Sequence, residues 1–329
     1  MTLTVASYNI LHGAAVGYDW AQLAAVIRES DADIVGLQEV DRRTRRAGGT
    51  DGLNELLRLL GWRYGRFSPV MPYDGGEYGI ALLSRFPSVY PERLACLPLP
   101  HREGEEPRSC MHAVIRLEES GKPGRVLHLL NTHLAFENPA SRRPQIEVLL
   151  NGIRRIPADE AFVLTGDFNT ETYSELQPLL NGRAALANAL APDRPDQSHF
   201  KTFREPPMAI DNIIYDGSSM TLAACGMRVG GESDHNLLWA RFALTTGQTW
   251  NNSESGEPQK AGTKTEACRF SSLPLCEWAC RSFGGIHRSE DFGVPFTPPA
   301  ALRRNRNSQR MCPRTGREAC LPSIPDYPR

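Results

Sequence analysis

Residues 161–169, AFVLTGDFN, decide the fold. The apolar run Ala161–Leu164 reads as a buried strand, and it ends in Asp167 and Asn169, two side chains that a core does not accept. Side chains two apart on a strand point the same way, so Asp167 and Asn169 can reach one cleft while Phe168 points into the core. Upstream, residues 126–134 (VLHLLNTHL) predict a second strand with His133 near its end, and a helix is expected from about 141 to 156 between the two. The same grammar opens the chain. A strand over 3–10 carries Asn9, a helix begins at Asp19 with Leu23, Val26 and Ile27 at helical spacing, and a strand over 34–38 ends at Glu39. Two strand–helix–strand units, at 3–39 and 126–167, predict two similar layers related by a pseudo-twofold. The expected fold class is an α/β four-layer α/β/β/α sandwich of two packed mixed sheets, with polar strand ends converging on one cleft.

The intervening and following segments fit that frame. A helix is expected over 52–60, stopped by Gly61, with strands at 79–84, 109–117 and 125–132. Further along, Asp211 lies in IDNII and Asp234 and His235 lie in SDHN, each beside an apolar run.

Taken in order, YN, QE, THL, GDFN, D and SDH resemble the endonuclease/exonuclease/phosphatase family of Mg-dependent phosphoesterases, over about residues 1–245. The resemblance implies a DNase-I-like fold and a hydrolytic centre, but not a substrate, because such enzymes share the centre and differ in loops. Glu39 is the expected principal ligand of Mg2+, with Mn2+ as the alternative ion, since a hard cation takes a carboxylate and fills its octahedron with water. Asn9 would add a neutral oxygen or amide to that ion or its water shell, and Asp234 would point toward it. Asp167 is suited to orient or deprotonate an attacking water, and Asn169 to donate its amide. The family pattern pairs His235 with Asp211; a comparable candidate partner for His133 is Glu77. Arg108 in EPR and Arg142 in SRRPQ match family arginines, to be read either as bidentate forks for a phosphate or as surface ion pairs.

Composition bounds the rest. With 40% hydrophobic residues in 329, the chain can bury a sizeable core. Residues 247–329 hold 12 Lys and Arg against 8 Asp and Glu, leaving 25 against 30 of the totals of 37 and 38 for residues 1–246. The catalytic domain, 1–245, is therefore mildly acidic, which argues against a dedicated duplex-DNA binder. The basic run Arg42, Arg43, Arg45 and Arg46 is suited instead to one anionic head group or a short single strand. Residues 246–329 are rich in Pro and Arg, show no hydrophobic periodicity, and are expected to be a disordered tail, whether a nucleic-acid arm, a solvated segment or an unselected extension. Three cysteines before residue 246 and five after it do not suggest a disulfide framework. No stretch approaches a membrane span and Met1 leads within a few residues into the first strand, so a cytoplasmic location is expected. The expected partner is a phosphate ester, whether small molecule, lipid head group or nucleic acid. A DNA nuclease and a non-catalytic binding module on the same fold are the alternatives.

Overall fold

The computed structural model describes residues 1–87, 95–119, 122–191 and 194–244. Everything expected of residues 246–329, including the arginine run and the five later cysteines, lies outside them. Cys96, Cys110 and Cys225 are free thiols.

The first sheet is built from β1 (Thr2–Asn9), β2 (Ile34–Arg42), β3 (Tyr64–Tyr73) and β4 (Gly76–Ser84), and receives the last two strands, β15 (Met220–Arg228) and β16 (Leu237–Leu244). The second contains β5 (Ala95–Leu99), β6 (Arg108–Glu119), β7 (Lys122–His133), β8 (Ala161–Asp167), β9 (Ala184–Leu186) and β14 (Asp211–Asp216). Two small hairpins intervene, β10 (Ala189–Ala191) with β11 (Arg194–Ser198), and β12 (Phe203–Arg204) with β13 (Pro207–Met208). The sheet orders are β15-β16-β1-β2-β4-β3 and β5-β6-β7-β8-β14-β9. In each, the central pair is parallel and its neighbours antiparallel: β1 with β2 around α1 (Trp20–Glu29), and β7 with β8 around α3 (Pro139–Arg154). The expected twofold-like repetition is thus present strand for strand.

Alternation along the strands makes the layers. Leu3 and Val5 of β1, Val163 of β8 and Phe242 of β16 meet between the sheets. Ala6 and Tyr8 of β1 face α1 and α2 (Gly52–Leu60) on one outer side, and Phe162 and Leu164 of β8 face α3 on the other. Phe168 is fully buried in that last cluster.

Toward the strand ends the space between the sheets turns polar. Gln38 Nε2 donates to Asn131 Oδ1 at 2.7 Å and to Ser7 Oγ at 3.3 Å, while Asn131 Nδ2 donates to the Leu37 and Ala81 carbonyls. Thr165 Oγ1 adds a bond to Asn131 Oδ1 at 3.0 Å. Gly36 is required here by close approach, because a Cβ on it would fall 2.0 Å from Thr165 Oγ1. A buried network of this kind fixes one arrangement of the two sheets, since slippage would orphan several groups, although Gln38 Oε1 itself is buried without a hydrogen-bond partner.

Candidate active site

Strand register brings the polar ends together. β7 and β8 pair His133 with Asp167, and β8 and β14 pair Asp167 with Asp211, so three candidate residues are neighbours by hydrogen-bond pattern alone. Glu39 arrives differently. β2 does not stop there but runs to Arg42, and its pairing with β4 slips between Leu37 and Val40. Glu39 sits in that bulge at φ 54, a left-handed conformation that costs a non-glycine residue roughly 1–3 kcal/mol and persists where the surroundings impose it. The bulge turns its carboxylate into a cleft of about 660 Å³ that also receives His133, Asp167, Asn169, Asp234, His235 and Arg108.

The contacts within the cleft form two chains. Asn9 Nδ2 donates to Glu39 Oε1 at 3.0 Å and to Asp167 Oδ2 at 3.1 Å. His235 Nδ1 bonds Asp211 Oδ2 at 2.7 Å, and its Nε2 lies 3.6 Å from Asp167 Oδ2. On the other side His133 Nε2 lies 3.5 Å from the same Asp167 oxygen, while its Nδ1 is 2.8 Å from Arg108 Nη1. Asp167 Oδ1 accepts the Asn169 backbone N–H at 3.0 Å, an Asx turn that places Asn169 at φ 50. The Asn169 amide donates to the Leu134 carbonyl at 2.9 Å, so one of its two amide hydrogens is committed.

Burial and charge set the protonation. Asp167 is pushed up to about 7, first by burial and then by the charge of Asp211, against the pull of His235 and of the hydrogen bonds from Asn9 and Asn169. Burial alone would draw His235 down; the charge and hydrogen bond of Asp211, with Asp167 and Asp234, carry it instead to about 10. His133 is held well below the ordinary histidine value by burial and then by the charges of Arg108 and His235. Glu39 is raised by burial, eased by the Asn9 hydrogen bond and raised again by Asp234. Tyr78, lining the same cleft, is raised well above its ordinary value by burial and by Glu39, and is a neutral donor.

The donor chemistry fits a hard cation. Glu39 and Asp234 line one cleft and repel one another, and among the described residues neither forms an ion pair; Asp234 accepts only from Ser233 Oγ at 3.2 Å. Two carboxylates facing the same space without a direct ion-pair partner among the described residues are the oxygen donors that Mg2+ takes. The tightest grouping of ligand-type atoms is another one, Asp167, Asp211 and His235, all within 4.8 Å. Its His235 Nδ1 is taken up by Asp211, so it is better described as a hydrogen-bonded chain.

Three expected residues are already engaged by neighbours within the protein. Glu77 does not partner His133: it ion-pairs with Arg42, because register sets Glu77 opposite Arg42 and alternation sends Tyr78, not Glu77, to the cleft. Asn9 bridges two carboxylates: its amide donates to both Glu39 and Asp167, and its oxygen accepts the Leu11 N–H at 3.1 Å. Arg142 is not a free phosphate fork. Its Nε and Nη2 clasp Glu175 at 2.8 and 3.2 Å, and its Nη1 reaches the carbonyls of Ala135 and Phe136. Arg108, 4% exposed, lines the cleft as Arg142 does, but its Nη1 is turned to His133. Of the basic run, Arg42 and Arg46 are spent on Glu77 and Asp41, and Arg43 and Arg45 are exposed.

Other residues lacked a sequence signal. Phe203 in the β12–β13 hairpin stacks edge-on against His235 at 5.0 Å, and Thr202 bonds both Asp211 N and Asn236 N, so the TFR segment braces the catalytic-type histidine. Glu106 pairs with Arg108 at 2.9 Å. Its only hint was its place in the acidic EEPR run.

Comparison with known proteins follows the same outline. The family model for the Endonuclease/Exonuclease/phosphatase family matches residues 6–235. An endonuclease/exonuclease/phosphatase from Beutenbergia cavernae superposes with a TM-score of 0.59 at 21% identity, over 74% of this chain and 72% of that one. The human Nocturnin catalytic domain with bound sulfate gives 0.58 at 24% identity over 74% and 94%. A mannosyl-6-phosphatase from Bacteroides thetaiotaomicron gives 0.53 at 19% identity over 74% and 100%. No curated protein sequence matches the chain.

Proposed function

Because the chain belongs to the endonuclease/exonuclease/phosphatase family, we propose that it is a hydrolase that cleaves a phosphoester, a phosphodiester in the first place, by direct attack of water on phosphorus. The observation that carries the reading is the chain Asp211–His235–Asp167 in the cleft, which sets a charged donor beside a carboxylate titrating near neutrality. Mg2+ or Mn2+ held by Glu39 and Asp234 would supply positive charge to the phosphoryl and leaving oxygens. Asp167, lifted to about 7, is matched to taking the proton of the attacking water near neutral pH. His235, kept cationic by Asp211, offers Nε2–H to the charge that grows on phosphoryl oxygen as the new P–O bond forms and the bond to the alcohol breaks. His133 and Tyr78 add neutral donors, and the Asn9 amide bridges the Glu39 and Asp167 carboxylates.

The substrate is assayed with a panel of aryl phosphodiester and monoester, short oligonucleotides, supercoiled plasmid, lipid head-group diesters and inositol phosphates. Turnover is expected only with added Mg2+ or Mn2+, lost in EDTA, and reduced by roughly two to three orders of magnitude in Glu39→Gln. Full activity in chelator would sink the metal assignment. Rapid plasmid nicking abolished by His235→Ala would promote the nuclease, and no turnover of any panel member would leave a binding module.

A further inference from the structure

The two histidines of the cleft are held by partners of opposite kind. Asp211 can only accept from His235 Nδ1 when ionised, so that nitrogen carries a proton. Arg108 can only donate: guanidinium has no acceptor and stays protonated. At 2.8 Å from Arg108 Nη1, His133 Nδ1 is therefore the acceptor and carries no proton. Its remaining proton sits on Nε2, the nitrogen 3.5 Å from Asp167.

We propose that Glu106 and Arg108 form a positioning pair that locks His133 as the neutral Nε2–H tautomer, so that it serves the proposed hydrolysis as an uncharged donor. Arg108 is nearly fully buried and pairs with Glu106 Oε1 through the same Nη1 that meets His133. Burying an arginine without a carboxylate is costly, so Glu106 is what permits the guanidinium to stand there. Its Nε is buried without a hydrogen-bond partner, a cost tolerated for the placement of Nη1. Glu77 would have had the opposite effect, drawing a proton onto His133 as Asp211 does for His235. An arginine rather than an acid beside His133 thus leaves one cationic and one neutral imidazole in the cleft. Two adjacent imidazolium groups would repel each other.

The proposal rests on the hydrolase reading but is tested apart from it. Heteronuclear NMR of the full-length, 15N-histidine-labelled protein, with His133 assigned by loss of its signals in His133→Gln, should show a protonated Nε2 and a bare Nδ1 in the wild type. Arg108→Met should release the lock, giving mixed tautomers or a protonated ring. Arg108→Lys, which keeps a donor, should retain the Nε2–H form, and Glu106→Gln should loosen it. With whichever panel ester is turned over, kcat should fall roughly 100-fold in Arg108→Met, partly restored in Arg108→Lys, with an altered pH profile. A wild-type His133 protonated at Nδ1, or a tautomer indifferent to Arg108→Met, overturns the proposal even if the rate falls. Absence of turnover on every ester would remove the hydrolase reading and leave the tautomer result standing.

Discussion

His235 shows how a neighbour decides what a residue type can do. An ordinary histidine loses its proton near 6.5, but this one keeps it to about 10 because burial, which draws it down, is outweighed by Asp211 together with Asp167 and Asp234. The folded state thus binds a proton that the unfolded chain releases between those values. Its stabilisation is whole below about 6.5 and is lost as pH rises through about 10. In chelator, thermal stability should decline across that window. Asp211→Asn removes the charge and leaves burial opposed by Asp167 and Asp234 alone, so the decline should flatten and the alkaline limb of the rate profile move to lower pH, with a rate loss of roughly 100-fold. An unchanged profile in Asp211→Asn would show that Asp211 does not hold the proton. Residues such as Asp167, Asp211 and His235 could be picked out because a polar group at the end of an apolar run stands out in sequence. Which way Glu77 faces could not, since that depends on register against β2. Nor does sequence show which atoms of Asn9 and Arg142 are already taken.

Among the elements, the loop between β7 and α3 has the clearest support. Arg142, on the first turns of α3, grips Glu175 and the carbonyls of Ala135 and Phe136, which pins the stretch leading from His133 toward the helix. With side-chain exposures of 7% and 17%, this pair is largely shielded from solvent screening. Arg142→Met should therefore leave Glu175 buried without its partner and destabilise the fold by roughly 3 kcal/mol in urea denaturation. Arg142→Met with Glu175→Leu should recover much of that loss. A single variant of wild-type stability whose KM rises sharply would instead return Arg142 to the substrate. The helices and central strands were legible because their periodicities are strong, as in α1 with Leu23, Val26 and Ile27. β3 was not: Pro69 and Pro72 fall within it, and it is the edge of its sheet, where a strand tolerates a residue without an N–H. The bulge at Glu39 was equally hidden, since two residues facing one partner leave no mark on an apolar pattern.

At the scale of the whole molecule, the last strand among the described residues ends at Leu244, where β16 has paired along β1 and β15. The composition of residues 246–329 offers little apolar surface to add to that core. A protein ending at Leu244 should therefore keep its melting temperature and its phosphoesterase rate; a truncated chain that fails to fold would show that the boundary was misplaced. The same pair of proteins separates domain from tail in nucleic-acid binding. Residues 1–246 carry 25 basic against 30 acidic side chains, and the cleft adds Glu106, Glu137 and Glu171 around the site. Of the arginines just after Glu39, only Arg43 and Arg45 stand exposed. Each phosphate contact contributes about 0.9 to the dependence of log affinity on log salt, so contacts made by these two arginines alone predict a slope of about −2 for duplex DNA bound by residues 1–244. Titrations across a salt series should find weak binding of that kind. A slope of about −5 or steeper in the truncated protein would mean that the domain itself tracks a nucleic-acid backbone, and the nuclease would become the better reading. The same steep slope in the full chain alone would place that contact in residues 246–329.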